Sequence, residues 1–213
     1  MSPSFDLTSY LSRQKFDTAE TADAAGVSVA RLADWIKRGV FAPLTEAKPG
    51  TGRGRQFLLA DIYRLSVIGA LTDPDGVFSM PASRAVALTD DAFGLDPESW
   101  CGNLDMFAEC RAALLSGFLP TELISRDRKT PIWLIGSVID VIVPKPRRRL
   151  RGELGVFTEN GLPNPLGRAR SFVTVEVTPL FAAADRRLFH AKGLAEFFPD
   201  LAKAMSVDED AEA

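Results

Sequence analysis

The chain is poor in the residues that most often carry chemistry: it has one histidine, His190, and two cysteines, Cys101 and Cys110, in 213 residues. A structural zinc normally takes four Cys or His ligands at close spacing, and three such residues scattered along a chain do not make one. The same scarcity limits nucleophilic catalysis, because a cysteine needs a base beside it and the sole imidazole lies 80 positions beyond Cys110. Asp90 with Asp91, or Asp96 with Glu98, could be read as paired carboxylates, but they sit where turns and helix starts are expected and where acids favour the helix dipole. No apolar run reaches the ~18 residues of a membrane span, and the opening MSPSFDLTSY lacks the basic-then-apolar order of a signal peptide. These absences lead to the expectation of a soluble, cytoplasmic protein that is not an enzyme and needs no cofactor or metal.

What is present is ordinary globular material, 46% apolar and 25% charged, which excludes bulk disorder. The length suits one large domain or a small one joined to a medium one. Charge is unevenly spread. The chain carries a net −3, yet residues 28–64 hold seven basic residues against three acids, so the remaining residues carry −7. An acidic protein with one cationic segment points to a localised anion-binding face.

The pattern of that segment is helical. Asp17 followed by Glu20 fits a capping box, with Phe16 as a hydrophobic staple, so a helix is predicted to begin near Thr18. Gly26 supplies a left-handed stop. Ser28 suits the N-cap of a second helix in which Val29, Leu32, Trp35 and Ile36 recur at helical spacing, and Gly39 ends it. Arg31, Asp34, Lys37 and Arg38 are predicted to point outward, with Ser28 and Ala30 near the helix N-terminus. Two short helices about a glycine turn, the second with a cationic outer face, can lay a helix in the major groove. The stretch LTEAKPGTGRGRQF then forbids helix through its proline and glycines, and reads as a hairpin anchored by Leu44 and Phe57 with Lys48, Arg53 and Arg55 on its tip. Arginines there suit phosphates or a minor groove. A nucleotide cradle is not expected, since GxxxxGK[ST] is missing. A third helix, LLADIYRLSVIGALTD, carries Leu58, Ile62, Leu65, Ile68 and Leu71 near one face and should close a core against Ala22, Leu32 and Trp35.

Taken together, GVSVARLADWIKRGVFAP, the basic turn ending RQF and LADIYRLSVIGAL resemble the winged-helix DNA-binding head of the MerR family over residues 16–72. The resemblance implies a recognition helix over 28–38, a wing over 44–57 and a supporting helix over 59–71. Arg55 matches the wing arginine two positions before an aromatic, and Trp35 the aromatic of the recognition helix. Two departures stand out. Ala33 and Asp34 replace the family's usual arginine and aromatic, which implies a different DNA sequence or a weaker contact. Asp73, Pro74, Asp75 and Gly76 interrupt the chain where the family's dimerising coiled coil would start.

Beyond residue 76 the reading is coarser. Two helices are expected between Pro81 and Ser116, the second from about Pro97; Cys101 and Cys110 would lie about 13 Å apart along it and could not form one disulfide there. IWLIGSVIDVIV at 132–143 and Phe172 to Val177 read as strands able to pair with each other. The turn-rich, arginine-rich stretch between them reads as a solvated loop, with contact to phosphates or an acidic partner as the other reading. One or two helices follow, with Phe181, Leu188, Leu194, Phe197, Phe198 and Leu201 facing inward, and then an acidic, disordered tail at 206–213.

The expected fold class is α+β: an N-terminal winged helix-turn-helix domain (1–75) followed by a mixed helix and strand domain (76–205) for dimerisation or an effector. The expected function is a sequence-specific, double-stranded DNA-binding regulator of transcription, acting as a homodimer away from membranes, with Ser28, Ala30, Arg31, Lys37, Arg38, Lys48, Arg53 and Arg55 on the DNA. A small molecule or protein effector is a candidate partner of the second domain. The alternatives are an excisionase-like architectural or recombination factor of a phage or mobile element, and a protein-interaction adaptor.

Overall fold

The computed structural model describes residues 7–45, 54–76, 78–96, 104–116, 132–141, 147–156 and 172–206. A short helix α1 (Leu7–Leu11) precedes α2 (Thr18–Ala25), α3 (Val29–Lys37) and α4 (Leu59–Leu71). Helices α5 (Ala82–Ala92) and α6 (Leu104–Leu115) lead to strands β1 (Ile132–Val141), β2 (Arg147–Val156) and β3 (Phe172–Glu176). The chain closes with α7 (Thr178–Ala191), a 3-10 turn at Leu194–Glu196 and α8 (Pro199–Ser206).

The local signals around α2 form as expected. The Asp17 carboxylate accepts from the amides of Ala19 and Glu20 at 2.8 and 2.9 Å, and the Glu20 carboxylate accepts the Asp17 amide at 3.0 Å. Each of those amides would otherwise lack an intrahelical partner. Gly26 then turns left-handed at φ 70°, a conformation that a side chain would strain.

Helix α4 lies at the centre. The sequence gives it one apolar face, yet every residue from Leu59 to Ile68 is buried, because α2 packs on one side and α5 and α7 cover the others. A single apolar cluster therefore runs from Leu11 through Leu32, Trp35, Ile62 and Leu65 to Ala85, Phe181 and Leu188. The expected contact of Ala22, Leu32 and Trp35 with α4's layer is present within it. Gly69 permits close approach of the α2–α3 turn, since a Cβ there would meet Val27 Cγ1 at 2.9 Å.

The three strands form one antiparallel sheet in the order β2-β1-β3. Register places Leu134 opposite both Leu154 and Val175. The expected pairing of β1 with β3 is present, but the predicted loop after β1 is corrected: residues 147–156 are strand β2, paired with β1 along its whole length. Arginines at 147, 148, 149 and 151 hide the strand signal, and its pairing with an apolar neighbour supplies what its own composition does not. The sheet is tied to the helices at two points. The Gly152 amide donates to Asp91 Oδ2 at 2.7 Å on α5, and the Ile132 amide donates to Thr178 Oγ1 at 2.6 Å at the start of α7.

Two smaller expectations are also corrected. Phe57 pairs with Phe16, each amide donating to the other's carbonyl at 2.9 and 3.0 Å, rather than with the strand arm at Leu44. Phe197 is 74% exposed, just after the 3-10 turn, which buries Leu194 instead. The first part of the helix expected from Pro97, with Cys101, and the tail beyond Ser206 lie outside the described residues.

Candidate nucleic-acid interface

Helix α3 begins where Ser28 Oγ accepts the Arg31 amide at 3.2 Å. Its apolar side is hidden: Leu32 is fully buried and Trp35 is 3% exposed. The opposite side faces solvent and consists of Ala30, Ala33, Asp34, Lys37 and Arg38, with Ser28 and Val29 exposed at the N-terminal end. Asp34 and Arg38, one helical turn apart, form an ion pair on this surface.

Arg31 departs from the expected outward orientation. Its Nη2 donates to both the carbonyl and the hydroxyl of Thr72, each at 2.7 Å, and its guanidinium lies 4.8 Å from the Trp35 ring centroid. The C-terminal end of α4 offers otherwise unpaired carbonyls, and a guanidinium satisfies them better than water does. Arg31 thus braces α3 against α4. No sequence signal links Arg31 with Thr72, which is 41 positions away.

The segment expected to form the wing is held at its root by one carboxylate. Asp61 Oδ1 accepts the Leu44 amide at 3.0 Å and Oδ2 accepts the Leu58 amide at 3.1 Å, so both ends of the segment meet on the first turn of α4. Arg64 completes this anchor. Its Nη1 donates to Asp61 at 2.9 Å, its Nη2 and Nε reach Asp90 Oδ1 at 2.7 and 3.0 Å, and its guanidinium lies 4.7 Å from the Phe41 centroid. Burial pushes the Asp61 carboxyl above its ordinary range, while the Arg64 charge and the two amides pull it back. Arg64 and Asp61 entered the charge count of the cationic segment, yet both are buried and present no charge to a ligand. The signal for this role was available: an acid at the third position of a helix whose entry needs capping, with an arginine three residues on.

Among the other expected site residues, Arg55 is exposed next to the anchored root, as are Lys37 and Arg38 on α3. The Thr45 hydroxyl donates to the Gln56 carbonyl and links the two arms of the segment. Lys48 and Arg53 lie outside the described residues. Those residues contain no group of three or more His, Cys, Asp or Glu able to hold a metal ion, and no helix among them is long and apolar enough to cross a membrane.

A capped helix, a tight glycine turn and a second helix with a hidden apolar side, followed by an anchored basic segment and a supporting helix, define a helix-turn-helix DNA-binding regulatory module. Residues 16–84 match the family described as MerR HTH family regulatory protein, and this part of the chain is a MerR-family helix-turn-helix regulatory domain. The match runs past the break at residues 73–76 into the first turn of α5. Domains of this class bind and regulate rather than catalyse, and the region beyond residue 84 is a mixture of helices and strands. Comparison with curated proteins finds no match to the chain.

Proposed function

We propose that the protein is a sequence-specific, double-stranded DNA-binding regulator of transcription, with residues 28–38 in the major groove and residues 44–57 on the adjoining backbone. The observation that carries this reading is α3 itself: an N-capped helix with Trp35 buried and a small, cationic outer side, inside a MerR-family domain. In this arrangement Ser28 and Ala30 stand at the groove floor, while Lys37, Arg38, Lys48, Arg53 and Arg55 meet phosphates. Arg31, bonded to Thr72, supports α3 from behind instead of meeting the duplex itself.

One such module covers little DNA, so the reading includes a homodimer on paired half-sites about one helical turn apart. Residues 76–205 would supply self-association or an effector site, and the protein would work in the cytoplasm. Recovery of bound fragments from sheared genomic DNA tests the reading: a shared sequence is expected, and equal retention of all fragments would overturn it. The turn at 72–76, where the Met80 amide donates back to the Leu71 carbonyl at 2.7 Å, favours a second reading. With the supporting helix turned back there, an architectural or recombination factor is the alternative, and a large bend in the bound duplex would identify it.

A further inference from the structure

The outer side of α3 has an unusual composition for a groove-reading helix. Val29, Ala30, Ala33 and Lys37 are neighbours at three- and four-residue spacing and form one exposed strip along the helix. Val29 is 49% exposed although it is a β-branched hydrophobe at the helix start. Side chains that read bases by hydrogen bonds are arginine, lysine, asparagine, glutamine, the acids and the hydroxyl residues. At the end of α3 that enters the groove first, Arg31 is bonded to Thr72 and the Ser28 hydroxyl caps the helix, while Asp34 pairs with Arg38 and Lys37 stands in the last turn with the phosphate-facing cations.

What remains for the groove floor is a methyl surface. Alanine side chains let the helix axis come close to the bases, and the valine projects two methyl groups at the end that enters the groove first. The base edge complementary to that surface is the C5 methyl of thymine, the one apolar group displayed in the major groove. Exposed cations at Lys37, Arg38 and Arg55 lie in the same module to hold the flanking phosphates, so the charge pattern fits a duplex and not an apolar protein partner.

Resting on the DNA-binding reading above, we infer that the strip of Val29, Ala30 and Ala33 selects its site through thymine methyl groups, with Val29 the specificity-determining residue, rather than through guanine contacts by arginine. The full chain is first used to enrich duplexes from a random pool. Thymines of the enriched site are then replaced one at a time by deoxyuridine, which removes the methyl and leaves every hydrogen-bonding group in place. Loss of a buried methyl corresponds to about four-fold in affinity. The wild type is expected to lose about that factor at one or two positions. Val29→Ala, which keeps a good helix former at an exposed position, is expected to bind the thymine site more weakly and to have lost the discrimination at one of them. Enrichment of a site at which no deoxyuridine changes wild-type affinity, or at which Val29→Ala discriminates as well as the wild type, overturns the inference and leaves the DNA-binding reading standing. Failure to enrich any duplex overturns both.

Discussion

The Tyr63 hydroxyl donates to the Asp185 carboxylate at 2.6 Å, a buried contact between residues 122 positions apart. It joins the centre of α4 to α7, and the Tyr63 ring stacks on Phe181 with centroids 4.5 Å apart. Two further contacts bring α7 onto the helix-turn-helix. Arg187 Nη1 donates to the Ala24 carbonyl at 3.2 Å at the C-terminus of α2, where a cation complements the dipole. Lys192 Nζ pairs with Glu20 at 2.5 Å and lies 5.2 Å from the Phe16 centroid. The helix-turn-helix module is thus backed by α7, more than a hundred residues further along the chain.

Removal of the Tyr63 hydroxyl tests this backing. Tyr63→Phe keeps the ring stack and takes one donor from a buried carboxylate, a loss of about 1–3 kcal/mol. In a chain of this size that lowers the thermal midpoint by roughly 2–10 °C. An unchanged midpoint would mean that the bond contributes nothing to holding α7 on α4.

Arg64 is the keystone of the wing root. Arg64→Met leaves Asp61 buried without its cation, which costs about 3–5 kcal/mol in urea unfolding. The exposed pair of Asp34 and Arg38 provides the contrast, since Arg38→Met should change stability by less than about 1 kcal/mol. The pH dependence has a definite sign. With Arg64 gone, only the Leu44 and Leu58 amides oppose burial, and the Asp61 carboxyl rises further. A carboxyl raised by folding supports the folded state at acid pH, and that support is lost as pH rises through its folded pKa. The stability gap between wild type and Arg64→Met should therefore widen from about pH 4 to about pH 7. A gap that narrows over that range would refute the assignment.

Gly152 marks a close approach of the sheet to α5. A Cβ there would stand 2.0 Å from the Leu88 carbonyl oxygen, a backbone atom inside a helix that cannot move aside. Gly152→Ala should destabilise the protein by about 3 kcal/mol or more and disturb the Asp91 contact to the strand. A variant as stable as wild type would show that β2 does not sit on α5 as described.

Burial also pushes the Cys110 thiol up, and its Sγ donates to the Phe93 carbonyl at 3.7 Å. Only the thiolate reacts with disulfide reagents. In a Cys101→Ser background, the remaining thiol should react much more slowly than a free cysteine at about pH 8, and at the free rate once urea unfolds the chain. Equal rates in both states would contradict the burial.

Much of this was legible in the sequence where the determinants are local. The caps of α2 and α3, the turn at Gly26, the buried side of α3 and the strands β1 and β3 all follow from residues within a few positions of each other. What escaped reading depends on distant partners. Arg31 reads as outward because its spacing is that of the polar side, and only the folded chain brings Thr72 beneath it. Strand β2 reads as a loop because its arginines and glycines stand in a turn-rich stretch with no β-branched run, and its place is set by β1 and by the space that Gly152 leaves above α5. The all-round burial of α4 needs α7, more than a hundred residues later, as well as α2 and α5.

If α3 and the basic segment act jointly on a duplex, as proposed, the salt dependence of binding must change when the basic segment loses its charge. A labelled duplex carrying the enriched site is titrated at several salt concentrations with wild type and with Arg53→Ala/Arg55→Ala. Each phosphate contact contributes about 0.9 to the slope of log affinity against log salt. The double variant should bind more weakly, with a slope shallower by up to about 2. Affinity and slope that both match the wild type would contradict joint action of α3 and the basic segment.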